Sequence, residues 1–197
     1  LFSLITITNI IYPFISLVDS SATGYGMRFS NSRPITYFED EDFVFITYLQ
    51  YYNYTSSQTQ IGGAFYEDGG IWEVYFNLSY NGNMPWGTKV NSPNAISNDE
   101  FPATIYTARH QQSQLGRPYY AFDNFGWEGG SFSSPMNIDS NWGNSTKDFM
   151  YGSADSYHLI NEESVAVSVF TDLLRNGKYL FKSVTSTGDN ELAAFNE

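Results

Sequence analysis

The chain has 197 residues, with 21 acidic against 9 basic side chains, 16 Tyr, 16 Phe, 4 Trp and no cysteine. That length gives one domain or a short repeat array, which buries roughly 70% of its unfolded surface without a disulfide or metal staple. The net charge of −12 argues against nucleic-acid binding, and the missing cysteine excludes thiol catalysis, cysteine-ligated zinc and a disulfide scaffold.

Residues 1–18 read LFSLITITNIIYPFISLV and carry no charge. A signal peptide needs a basic n-region, and none is present. A membrane helix fits by length, but Asn9 and Pro13 interrupt it, so a membrane role is disfavoured. The β-branched alternation Ile5-Thr6-Ile7-Thr8 favours one or two strands. A fully apolar strand must be covered on both faces. If its own domain does not cover it, a neighbouring subunit does so by strand addition.

Residues 31–197 carry a repeat of about sixty residues. Gly69-Gly70-Ile71-Trp72, ending in Asn77-Leu78, recurs as Gly129-Gly130-Ser131-Phe132, ending in Asn137-Ile138. A weaker third copy is Gly188-Asp189-Asn190-Glu191-Leu192. An acidic turn precedes a β-rich run in each unit: Glu39-Asp40-Glu41-Asp42, Asn98-Asp99-Glu100 and Asn161-Glu162-Glu163. The division is an apolar segment at residues 1–30 and three units at about 31–90, 91–150 and 151–197.

Four strands are expected per unit. They fall at residues 34–38, 43–49, 61–67 and 72–78 in the first unit. In the second they fall at 94–97, 101–108, 117–122 and 132–138, and in the third at 157–160, 165–170, 178–184 and 192–195. Asp68-Gly69-Gly70 and Asn176-Gly177 are turn signals, the latter for a two-residue hairpin. No helix is expected. The fold class is all-β, built from four-stranded, blade-like units.

These units resemble the blades of sialidase-like (BNR, Asp-box) β-propellers. Asp68, Gly70 and Trp72 match the Asp-box turn in kind, as does the stretch from Trp127 to Pro135. Tyr66 stands where that family has Ser or Thr, the aromatic comes one residue early, and Glu128 replaces the second Asp. The resemblance implies a propeller over about residues 31–197, either four-bladed with a reduced first blade or completed by another subunit.

Sialidase-type catalysis would require three arginines around a carboxylate, a Tyr–Glu pair and an acidic proton donor. The five arginines are Arg28, Arg33, Arg109, Arg117 and Arg175; the family's Phe-Arg-Ile-Pro motif is absent, and Ser32-Arg33-Pro34-Ile35, the nearest stretch, lacks its order. A two-carboxylate glycosidase needs a spaced acid pair. Acids such as Glu67, Asp68, Asp99, Asp123 and Glu128 read instead as solvated turn residues. His110 and His158 read as structural or solvent-facing. The expectation is a chain that is not an enzyme.

Exposed aromatics are the candidate ligand-binding groups: Tyr51, Tyr52, Tyr54, Trp86, Tyr119, Trp127 and Trp142. Aromatic faces stack on sugar rings, and core filling is the competing use. Asn53, Asn77 and Asn144 head N-glycosylation sequons. No cofactor is expected; calcium at Glu39, Asp40 and Asp42, which offer hard oxygen donors, is the alternative. The functional expectation is an extracellular or cell-surface structural protein that forms a homo-oligomer or polymer through its apolar N-terminal strand. The alternative is a lectin-like propeller gripping glycan or protein, and a sialidase-type hydrolase ranks third.

Overall fold

The computed structural model describes residues 18, 32–38, 42–50, 59–67, 70–79, 89–97, 102–109, 115–126, 131–139, 147–158, 163–175 and 177–186. These form eleven strands and, among the described residues, no helix. The first sheet holds β1 (Ile35–Phe38), β2 (Phe43–Gln50), β3 (Gln60–Tyr66) and β4 (Glu73–Tyr75). The second holds β5 (Lys89–Ser97), β6 (Pro102–Arg109), β7 (Gly116–Phe122) and β8 (Met136–Asn137). The third holds β9 (Phe149–His158), β10 (Glu163–Asp172) and β11 (Gly177–Ser186). Each sheet is an antiparallel meander in chain order. The expected fourth strand of the third unit, residues 192–195, lies outside the described residues.

β2 shows why the strands read as apolar on both sides. Phe45, Thr47 and Leu49 alternate with Val44, Ile46 and Tyr48, and all but Val44 are buried. A strand covered on both faces has no need of polar alternation. Phe45, Leu49, Ile61 and Phe65 of the first sheet pack against Val90, Tyr106 and Ala108 of the second. The second sheet's other face, through Ile105, Tyr120 and Phe122, meets Phe149, Phe170 and Phe181 of the third. The sheets therefore stack face to back, like blades. The first strands come together: β5 lies against β1 on one side and β9 on the other. The backbone N–H of Ala95 donates to the Arg33 carbonyl at 2.8 Å.

The repeat has a structural meaning at the end of each blade. The N–H of Leu78 donates to the Ile61 carbonyl, and the N–H of Ile138 donates to the Pro118 carbonyl. Asn77 and Asn137 each accept at Oδ1 from the residue two positions on, Ser79 Oγ and Asp139 N respectively. The Asn-aliphatic signature is thus a turn that tucks an apolar side chain, Leu78 or Ile138, under its blade.

Several expected boundaries move. β5 starts five residues before residue 94, and a bulge between Asn91 and Asn94, with Ser92 at φ 52°, lets it bend. The segment expected over 132–138 is a bridge at Phe132 followed by only Met136–Asn137, because Pro135 has no N–H to pair. β9 runs from Phe149, well ahead of residue 157, because β10 pairs along it. The hairpin from β10 to β11 is not a two-residue turn. Asp172 pairs with Gly177, so the loop spans residues 173–176, held by Asp172 Oδ1 accepting from the Leu174 N–H at 3.0 Å.

Candidate functional site on the first strands

The three first strands carry a polar cluster that the repeat generates. Asn94 is fully buried at its centre. Its Oδ1 accepts from the Arg33 N–H at 2.8 Å, and its Nδ2 donates to the carbonyls of Ser92 (2.8 Å) and Gly152 (3.3 Å). Thr36 Oγ1 and Ser97 Oγ share a hydrogen bond at 2.9 Å, and the Ser97 N–H donates to Ser156 Oγ at 3.0 Å. Arg33 Nη1 donates to Asp155 Oδ2 as a salt bridge. The partners stand about one or two repeats apart, 61 residues for Arg33 and Asn94 and 122 for Arg33 and Asp155.

Burial divides this cluster into a frame and a face. Asn94 and Ser97 are closed to solvent. Arg33 and Asp155 keep 60% and 63% of their side chains exposed. An exposed ion pair contributes only about 0–1 kcal/mol to stability. Fold stability alone therefore gives little reason for it, whereas its polar groups stay open to a ligand.

The other described arginines are used elsewhere. Arg109 Nη2 pairs with Asp148 Oδ2 at 2.6 Å, and Arg117 Nη1 pairs with Asp139 Oδ2 at 3.2 Å. Asp148 also accepts from the Gly116 N–H at 2.6 Å and donates its own N–H to Asp172 Oδ1 at 3.0 Å. The contacts of Asp148 tie the second sheet to the third, while Arg117–Asp139 lies within the second unit. Arg175 sits exposed in the β10–β11 loop. Among the described residues no trio of arginines converges, so the sialidase-type carboxylate grip is not assembled by them.

Of the expected ligand-binding aromatics, only Tyr119 is described. It is half-buried and stacks on Tyr106 with ring centroids 5.9 Å apart. Burial first, then the nearby Asp139 carboxylate, raises its phenol above the ordinary range, while Arg117 pulls the other way. Tyr51, Tyr52, Tyr54, Trp86, Trp127 and Trp142 lie outside the described residues. So do Asn53, Asn144, Glu39, Asp40 and His110. Asn77 is half-buried with φ 57°, and its side-chain oxygen holds the buried Ser79 hydroxyl of its own sequon. Asp42 is exposed and accepts from the Tyr37 hydroxyl. Among the described residues no three acidic or histidine side chains gather as a metal site.

Asp155 and Asn94 were not among the residues that the sequence singled out. The signal was present: stepping about one repeat at a time from Arg33 reaches both. Neither type is unusual in this polar chain, so spacing alone could have drawn attention to them.

No family model matches this chain, and no curated protein matches it. Solved structures do. A Trypanosoma rangeli sialidase in complex with the inhibitor DANA superposes with TM-score 0.54 at 11% identity, over 85% of this chain and 31% of that one. A Penicillium chrysogenum α-L-arabinanase complexed with arabinobiose gives TM-score 0.56 at 12% identity, over 90% of this chain and 51% of that one. The chain thus spans about a third of the sialidase and about half of the arabinanase. The fold is that of a sialidase-like β-propeller. This likeness overturns the expectation that the chain is not an enzyme, because a sialidase and an arabinanase are built on the same fold. That expectation rested on missing histidine, cysteine and sialidase motifs. Carboxylate chemistry on a propeller needs no histidine or cysteine, and its acids do not stand out among 21.

Proposed function

We propose that this chain is part of a glycan-processing propeller whose sugar sits over the first strands, against Arg33 and Asp155. One observation carries the reading: three repeats meet in a buried polar frame and leave one guanidinium and one carboxylate exposed above it. Asp155 supplies the kind of group that protonates a leaving oxygen or attacks a sugar carbon. Arg33 supplies a planar fork of donors for hydroxyls or a carboxylate. Retaining and inverting hydrolases pair such a carboxylate with a second one roughly 5–9 Å away. Among the described residues Asp155 is the single acid in the cluster. A glycan substrate is consistent with an extracellular or cell-surface location.

The test is turnover and binding on a panel of arabinans, sialosides and aryl glycosides between about pH 4 and 8. Asp155→Asn is expected to abolish turnover and Arg33→Ala to weaken binding at least tenfold, with unchanged circular dichroism in both. Absence of turnover and binding across the panel overturns the reading. Equal activity in the Asp155→Asn variant removes that residue's role.

A further inference from the structure

A cleft of about 570 Å³ opens between the outer strand of the first sheet and the run that leads into the outer strand of the second. The Arg33–Asp155 pair lies elsewhere, on the first strands. The cleft's size falls within the roughly 300–1,000 Å³ of small-molecule sites. One wall is the end of β4 and its continuation through Phe76 and Asn77. The other is Ser131–Ser134. Phe132 joins the walls, with its ring centroid 5.3 Å from that of Tyr75 and 5.5 Å from that of Phe45. None of the described residues lining the cleft is charged, in a chain of net charge −12.

Its polar groups are fixed by the fold. The Ser133 N–H donates to the Phe122 carbonyl at 2.8 Å, and Ser133 Oγ accepts from the Phe122 N–H at 3.2 Å. That leaves the Ser133 hydroxyl hydrogen for a ligand. Asn77 is held at φ 57°, and its Oδ1 accepts from Ser79 Oγ at 3.0 Å. The Asn77 Nδ2 donors make no hydrogen bond among the described residues. Ser131 and Ser134 are exposed. Phe76 is 69% exposed. Its counterpart one repeat on is Met136, which is half-buried and packs against the core. A blade can therefore tuck this position inward, yet the first blade turns a ring out to water. A lone exposed apolar side chain means little. This one stands in a cleft of ligand size, beside three serines and an amide with donors to spare.

We propose that this cleft binds a short neutral oligosaccharide. The C–H face of one sugar stacks on the Phe76 ring, and sugar hydroxyls bond to Ser133 Oγ, Ser134 Oγ and Asn77 Nδ2. An aromatic body with a few placed polar groups is the general make-up of a small-molecule site. The uncharged lining sets the class: an anionic sugar meets no cation here and a strongly negative chain around it. The site holds a glycan and does no chemistry on it, because no carboxylate lines it. It stands whether or not Arg33 and Asp155 carry catalysis.

The test is a titration of the isotope-labelled full chain, followed by amide NMR. The chain is made in a bacterial host so that Asn77 carries no glycan. The probes are arabinotriose, maltotriose, cellotriose and the anionic trigalacturonate, each up to about 20 mM, which covers millimolar Kd values. At least one neutral sugar is expected to shift the amides of residues 74–78 and 131–134 together, in wild type and in Asp155→Asn alike. Phe76→Ala is expected to weaken that binding about fivefold, as loss of one stacked ring does. Ser134→Ala is expected to weaken it about threefold, as loss of one hydrogen bond does. Both side chains are exposed, so the amide spectrum away from the cleft stays that of wild type. Turnover on the glycoside panel is a separate readout, so either site can fail alone. No shift at these residues with any neutral sugar, unchanged affinity in both variants, or tighter binding of trigalacturonate would each overturn the proposal.

Discussion

Asp139 is a buried carboxylate held against its own preference. Burial pushes its pKa up to about 6 from the ordinary 3.8, against the pull of the Arg117 guanidinium and of the hydrogen bonds from Arg117 and within the Asn137 turn. The folded chain therefore holds this proton more tightly than the unfolded chain. The group's stabilising contribution is full below about pH 3.8 and is lost as pH rises through about 6. Asp139→Asn removes the titration while keeping a side chain that Arg117 can bond. Urea unfolding should show the variant gaining on wild type by on the order of 2 kcal/mol between pH 4 and 7. A constant difference across that range would contradict the burial of an ionising group. Tyr106 presents a related cost. It is fully buried, its hydroxyl meets no hydrogen-bond partner among the described residues, and burial raises its pKa well above the ordinary value. An unsatisfied buried hydroxyl costs about 1–3 kcal/mol. Tyr106→Phe, which keeps the ring stacked on Tyr119, should be neutral or stabilise by up to about 1 kcal/mol. A loss above about 1 kcal/mol on thermal or urea melting would mean the hydroxyl has a partner.

Strands pass from sequence to structure unevenly, and the reasons are local. β2 and β3 lie close to their expected places, because β-branched and aromatic runs bounded by turn residues have few alternatives. β9 was expected far too short. Its residues Met150 to Ser156 include Gly152, Ala154 and Asp155, which are poor strand formers taken alone. Tertiary contacts override that preference: β10 pairs along the strand, and the Asp148 carboxylate anchors its start to Arg109 and Gly116. Gly152 shows how tight the fit is. A Cβ there would overlap the Phe170 ring, which belongs to the seam with the second sheet, and its carbonyl receives the Asn94 side chain. Gly152→Val is therefore expected to destabilise by about 2–3 kcal/mol, since overpacking must push a ring or the backbone. Chemical denaturation would check this, and a loss under about 0.5 kcal/mol would imply a seam that yields easily. The candidate site follows the same pattern. Neither Arg33, one of five arginines outside any complete family motif, nor Asp155, in a strand that local propensity does not predict, stands out in the sequence.

At the scale of the whole molecule, two seams and a large negative charge oppose each other. The second sheet is covered on both faces, by Phe45, Leu49 and Ile61 on one side and Phe149, Phe170 and Phe181 on the other. In a stack of this kind, stability is a sum of unit and nearest-neighbour terms, so the middle sheet couples the outer two. Against this stands a net charge of −12 and a sequence pI of about 4.3. Ion pairs among the described residues engage Arg33, Arg109 and Arg117, and the chain carries 21 acidic against 9 basic side chains. Self-repulsion of that size weakens the compact state, and salt screens it over a Debye length of about 10 Å at 0.1 M. The exposed pair Arg33–Asp155 loses little on screening, because such pairs contribute only about 0–1 kcal/mol. Raising sodium chloride from about 20 to 200 mM at neutral pH should therefore raise the melting temperature, by roughly 2–4 °C for a gain near 1 kcal/mol. The same gain should shrink toward pH 4.5, where protonation brings the net charge close to zero near the pI. A melting temperature that falls with salt at neutral pH would mean that attractive pairs outweigh the repulsion.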